Sequence, residues 1–265
     1  MPTKKKSAKK QNKTNSFIWQ AGALRLTAFH SLKDNPNVEN WWKQLTGEES
    51  EKRVTESKKK IVIEEGDYKD GSLVLKLAPG RIDLVLNSKD EPEDVNIFPT
   101  LGELKSNVNS FLELSNKLLK LPDYPMTNRL AFGAICVFPV ETRKSGYDNL
   151  NVFLGDVIKI DSDDSFDLLY QINRRRNSKS DVPGLSINRL QKWYVGTRNI
   201  SVVMVSPDKK EHALSSADAV YACMLELDIN TSKDFQDHLP KGKLNKICKE
   251  LTDLGIEISQ NGDIK

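Results

Sequence analysis

Apolar and polar residues alternate through Leu73, Leu75 and Leu77, and again through Ile82, Leu84 and Leu86. A period of two puts one set of side chains on one face of a sheet. Pro79-Gly80 lies between the two runs and marks a turn. Lys58–Ile63 begins a further strand, which the turn signals Glu64-Glu65-Gly66-Asp67 and Lys69-Asp70-Gly71 close. The short connections predict a three-stranded antiparallel meander. Ahead of it, Phe17–Phe29 contains a first strand through Leu24, Thr27 and Phe29, and Asn37–Leu45 reads as a short helix carrying Trp41 and Trp42.

Beyond an acidic loop over Ser88–Asn96, the period changes. Leu101, Leu104, Val108, Phe111, Leu112, Ser115, Leu118 and Leu119 follow helical spacing from Pro99 onward. Thr100 is the expected N-cap, with Glu103 three residues on as its capping-box partner, and Pro122 and Pro125 end the helix. Leu130–Val140 is an apolar strand whose Pro139 marks an edge or a terminus. Leu150–Leu154 reads as a helical turn or a short strand.

Phe166–Asn173, Ile187–Val195, Ile200–Val205 and Ala219–Ile229 read as four more strands. Lys243–Leu254 is an amphipathic helix with Leu244, Ile247, Cys248, Leu251 and Leu254 on one face. Gly255 is its expected stop, and Ile256–Ile258 with Ile264 the expected final strand. Clustered strands with few long helices predict an α+β fold of mostly antiparallel sheet. Residues 16–265 are expected to form a single domain, divisible into halves at 16–155 and 156–265, each with an amphipathic helix.

Composition changes this picture at one end. The chain has 265 residues, 38% hydrophobic and 29% charged, which suits a globular protein. Its net charge is +3, yet residues 1–15 alone carry six lysines and no acid: Lys4, Lys5, Lys6, Lys9, Lys10 and Lys13. The remainder is therefore net acidic, unlike a globally basic nucleic-acid binder. The segment 1–15 is predicted to be a disordered tail, solvated or making weak, salt-sensitive contact with nucleic acid. The apolar runs are too short for a membrane span and no signal peptide is apparent, so a cytoplasmic location is expected. Cys136, Cys223 and Cys248 are odd in number, far apart and flanked by apolar residues. They are expected to be buried free thiols, with neither disulfide nor zinc. His30, His212 and His238 have no ligand spacing, and no metal or cofactor is expected.

Several groups carry candidate chemistry. Asp83 followed by Glu103-Leu104-Lys105 matches the carboxylate pair and lysine of restriction-endonuclease-like, metal-dependent nucleases, where two carboxylates hold the ion and the lysine polarises water. That chemistry needs the triplet on a strand, whereas here it opens a helix. Asp161, Asp163 and Asp164 resemble a cation loop but lack the glycine and distal glutamate of one. Arg174, Arg175 and Arg176 end a strand. Alternation puts Arg174 and Arg176 on one face, with Lys179 and Arg189 across the hairpin. Such a cluster either recognises oxyanions or guards a sheet edge. Glu226 and Asp228 are either paired catalytic carboxylates or the solvent face of a strand. Trp41 and Trp42 lie about 100° apart on a helix, so one ring is expected at the surface. Phosphate-binding and dinucleotide glycine motifs, the hydrolase elbow and H-E-x-x-H are absent from the sequence.

Phe98-Pro99-Thr100-Leu101-Gly102-Glu103-Leu104-Lys105, Arg129-Leu130-Ala131-Phe132-Gly133, Leu150–Leu154 and Leu225-Glu226-Leu227-Asp228-Ile229 together resemble a sporadically distributed family of uncharacterised bacterial proteins. The resemblance spans residues 98–265 and departs at Cys136-Val137-Phe138-Pro139, where the family has a polar Asn-Arg ending. It implies a bacterial origin and an accessory role, as in antiphage defence or mobile elements, and no particular activity.

The sequence therefore predicts a non-enzymatic binding or adaptor protein whose partner is another protein. Arg174, Arg176, Trp41 and Trp42 are the candidate contacts, and self-association is left open. The alternative is the nuclease built on Asp83, Glu103 and Lys105.

Overall fold

The computed structural model describes residues 17–32, 36, 38–89, 97–198, 202–205, 211–214 and 219–264, with backbone alone for 202–205 and 211–214. The tail lysines Lys4 to Lys13, most of the acidic loop 88–96 and the side chain of His212 lie outside the described residues.

The fold is α+β, mostly antiparallel sheet with a few helices. Its strands are β1 (Gln20–His30), β2 (Lys52–Glu56), β3 (Ile61–Tyr68), β4 (Gly71–Ala78), β5 (Arg81–Ser88), β6 (Thr127–Val140), β7 (Leu169–Asn173), β8 (Arg176–Asn177), β9 (Ser186–Arg198), β10 (Val202–Val205), β11 (Glu211–Leu214) and β12 (Val220–Thr231). Its helices are α1 (Trp41–Thr46), α2 (Leu104–Leu119), α3 (Arg143–Leu154) and α4 (Leu244–Asn261). One sheet runs in the order β2-β3-β4-β5-β1-β6-β12-β9-β7, with β8 also on β9, while β10 and β11 pair separately. Strands from residues 20–140 form one contiguous block of this sheet, and β7, β8, β9 and β12 form the other. The β6–β12 pair joins them, from Tyr221 opposite Val140 to Asn230 opposite Ala131.

The helices cover one face of this sheet. Leu24, Leu26, Leu73, Leu75, Leu84, Phe132, Leu225 and Trp193 point into that core, together with Phe111, Leu118, Ile247 and Leu251 from the helices. The strand β6 lies at the centre of the sheet, with Leu130, Phe132 and Ala134 on its core face and Gly133 and Ile135 on the other. Pro139 lies past the last β1 partner, Val137, where its missing N–H breaks no ladder bond to β1.

Three local expectations are overturned and one is extended. Glu64-Glu65-Gly66-Asp67 is strand, not turn, because Glu64 pairs with Leu75 and Gly66 with Leu73. The helix α2 starts at Leu104, four residues beyond the expected Thr100 cap, and Glu103 is its N-cap without a side-chain cap bond. The reason is long-range. Leu101 N–H donates to Ala21 C=O (2.7 Å), Ala21 N–H to Gly102 C=O (2.8 Å) and Leu104 N–H to Trp19 C=O (2.8 Å), so residues 101–103 are tied to β1 and cannot join the helix. Leu150–Leu154 is helical, the last turn of a longer helix over residues 143–154 that Thr142 and Ser145 cap reciprocally. Finally, α4 runs through Gly255 to Asn261, so the expected terminal strand is helix. A Cβ on Gly255 would stand 2.9 Å from Phe132 Cε1, so this glycine brings α4 close to β6 and does not stop the helix.

Candidate functional site

Both tryptophans are interior. Trp41 is 1% and Trp42 3% exposed. Trp41 stacks on Tyr124 at 5.8 Å, and Trp42 packs over Gly66 of β3. Trp41, Trp42 and Leu45 form the buried side of α1 and Lys43 and Gln44 its exposed side, so neither ring forms a surface.

The three arginines are neutralised within the fold. Arg174 donates from Nε and Nη2 to the carboxylate of Asp263 at 3.0 and 2.7 Å. Arg175 reaches Asp234 at 2.6 Å and Ser186 Oγ at 2.9 Å, and Arg176 lies 3.7 Å from Glu257. Arg189 is buried and donates to Arg174 C=O, and its burial lowers its pKa. Tyr170 and Gln191 complete the shell of Asp263 at 2.6 and 2.8 Å. The Arg174 bonds hold the Asp263 carboxyl below its ordinary range, while burial and the Asp263 charge push Tyr170 up to about 12. This cluster fastens the segment after α4 to β7 and β9.

Asp83, Glu103 and Lys105 are not brought together. Asp83 sits opposite Thr27 on β1 and accepts from Thr27 Oγ1 (2.6 Å) and from Arg81 (2.7 and 2.8 Å). Glu103 bridges Gln20 at the other end of β1. Seven strand residues separate those points, roughly 23 Å. Lys105 is exposed in the first turn of α2. In the loop carrying Asp161, Asp163 and Asp164, Asp163 pairs with Lys144, and Asp161 accepts from the backbone N–H groups of Asp163 and Asp164. Among the described residues, no group of three or more His, Cys, Asp or Glu side chains could hold a metal ion. Cys136, Cys223 and Cys248 are free and buried, and burial pushes the thiols of Cys223 and Cys248 up to about 12.

The other face of the sheet is different. Alternation puts Arg25, Gly133, Ile135, Lys192, Glu226 and Asp228 there, opposite the helices. They surround a groove of about 410 Å³. Gly133 is its floor, and the Arg25 guanidinium lies flat over it: a Cβ on Gly133 would be 3.3 Å from Arg25 Nε and Nη2. Arg25 Nε is buried and has no acceptor. Its ion pair with Asp228 spans 4.0 Å with both side chains about 40% exposed, a weak contact. Asp228 also accepts from Asn230 Nδ2 at 2.9 Å. Next to it, Glu226 Oε1 accepts from Lys192 Nζ (3.1 Å) and from the Tyr194 hydroxyl (2.7 Å). Burial, then the Glu226 contact, raise the Tyr194 pKa. Ile135 is 41% exposed at the groove's apolar side. The groove thus offers two cations, two anions and apolar floor, with the Arg25 donors the least satisfied.

No protein family model matches the chain, and no curated protein matches it. No helix among the described residues is long and apolar enough to cross a membrane.

Sequence reading missed Arg25, Gly133 and Lys192. A glycine inside the apolar run of β6 was the available signal, because glycine within a strand marks a close approach. The position of Arg25 between Leu24 and Leu26 was a second.

Proposed function

We propose that this chain is a non-enzymatic binding or adaptor protein that docks another protein on the helix-free face of its sheet. The observation that carries the reading is Arg25, laid over Gly133 with its side chain about 40% exposed and its ion pair to Asp228 stretched to 4.0 Å. A partner carboxylate on the exposed end of this guanidinium would gain a charge-assisted hydrogen bond that Asp228 at 4.0 Å does not supply. The balanced charges of Arg25, Lys192, Glu226 and Asp228 do not suit a polyanion. They suit a polypeptide of mixed charge, with a carboxylate on Arg25 and an amine near Asp228. Exposed Ile135 adds apolar contact.

Trp41, Trp42, Arg174 and Arg176 are satisfied inside the fold, so the binding surface is placed on the open sheet face instead. The separation of Asp83 from Glu103 disfavours the nuclease. A cytoplasmic setting is supported by the three free thiols. A place in a bacterial antiphage or mobile-element system rests on the family resemblance alone.

Affinity capture from the native host with the whole chain and with Arg25→Ala tests the reading. The expected result is one protein depleted at least tenfold from the variant, with unchanged circular dichroism. An identical captured set from folded Arg25→Ala protein contradicts it.

A further inference from the structure

The strand β2 ends the sheet, and among the described residues no strand lies on its outer side. Its five residues read Lys52-Arg53-Val54-Thr55-Glu56, four of them exposed. An exposed edge presents unpaired backbone N–H and C=O groups and is a template for another strand. What the side chains allow on that edge is narrow.

We propose that β2 pairs with β2 of a second copy of this chain, antiparallel and centred on Val54. A two-fold axis perpendicular to the sheet then sets Lys52 opposite Glu56 of the partner, Arg53 opposite its Thr55, and Val54 opposite its Val54. Such an interface is isologous, with each contact made twice. Centring on Lys52, Arg53 or Glu56 would put like charges directly opposite each other, which is destabilising. Centring on Thr55 forfeits the charge pairs. The pattern is therefore self-complementary in one register and self-repelling in three others.

The neighbouring charges extend the match. Lys52, Val54 and Glu56 share the helix-free face with their β3 partners Glu65, Ile63 and Ile61. Lys52 Nζ already contacts Glu65 at 3.1 Å, and Lys59 Nζ contacts Glu56 at 2.6 Å. The paired edges join these into an alternating row, Lys59, Glu56, then Lys52 and Glu65 of the second copy. Val54, 37% exposed, gains an apolar partner at the centre. Two sheets become one. A pair of five-residue strands buries less than the ~1,200 Å² of a standard stable complex, so association is reversible and concentration-dependent.

Sedimentation equilibrium of the full chain, up to about 1 mM, reads the dimer directly. Lys52→Glu places Glu opposite Glu56, and Glu56→Lys places Lys opposite Lys52. Each variant alone is expected to associate at least tenfold more weakly than the wild type. Mixed in equal amounts they are expected to recover association, because both facing pairs between positions 52 and 56 are then opposite in charge. That recovery separates edge pairing from damage to the fold. A wild type that stays monomeric throughout, variants that self-associate like the wild type, or a mixture that stays monomeric overturns the proposal.

Discussion

Asp263 accepts two parallel guanidinium bonds from Arg174, 89 residues earlier in the chain, and its carboxylate has no solvent exposure. The contact ties the end of α4 to the edge of the sheet, and Tyr170 and Gln191 share the same carboxylate. Asp234, by contrast, meets Arg175 in an exposed pair. Removing one partner of a buried pair strands the other, whereas an exposed pair contributes little. Asp263→Ala is therefore expected to lower the thermal midpoint by roughly 5 °C or more, and Asp234→Ala by about 1 °C or less. Differential scanning calorimetry of both variants checks the contrast.

The same carboxylate sets an acid limit. Its pKa is lowered in the fold, mainly by Arg174, from an ordinary 3.8. A depressed folded value stabilises the protein above the unfolded value, and that stability is lost as pH falls below 3.8 toward the folded one. Glu64 has the opposite sign. Burial raises its pKa above the ordinary 4.5 despite Arg53 at 3.3 Å, and its Oε2 has no partner. Its contribution is favourable below 4.5 and lost as pH rises through the folded value. Urea midpoints measured against pH are expected to show Asp263→Asn losing part of the acid slope. Glu64→Gln is expected to gain stability relative to wild type at pH 7 and not below pH 4.

Gly255 lies in the interior of α4, where alanine is intrinsically favoured by about 1 kcal/mol. Its missing Cβ leaves room for the Phe132 ring, 2.9 Å from where that atom would stand. Overpacking of this kind costs about 1–3 kcal/mol. Gly255→Ala is expected to be net destabilising, as read by urea denaturation. A stabilised variant would show that α4 can retreat from β6 without loss.

Trp41→Ala and Trp42→Ala are expected to act on folding. Each removes a buried indole, at about 3–5 kcal/mol. Loss of partner binding in either variant should track its loss of folded protein, seen by parallel circular dichroism and binding titrations.

Much of the sheet was legible because Leu73, Leu75 and Leu77 against Ile82, Leu84 and Leu86 carry an unambiguous period. Element ends were legible only where local chemistry decided them. Glu103 has the spacing of a capping-box glutamate, yet backbone bonds to Trp19 and Ala21 hold residues 101–103 against β1, so that α2 begins only at Leu104. Gly255 looked like a stop because a glycine's reason, here the Phe132 ring, lies 123 positions away in the chain. The arginine run at 174–176 looked unneutralised because Asp234, Glu257 and Asp263 reach it only through the fold. The groove depends on Arg25, Gly133 and Asp228 lying side by side on β1, β6 and β12, a relation set by strand order that no local pattern contains.

Site-specific photo-crosslinking in the native host tests the open face most directly. A photoreactive residue at Ile135 stands beside the groove, and one at Val152, 65% exposed on α3, serves as the comparison. The expected result is a discrete adduct with another protein from position 135, absent from position 152 and abolished when Arg25→Glu is added. An adduct from position 152 but not 135, or one from 135 that Arg25→Glu leaves unchanged, would contradict binding through this face.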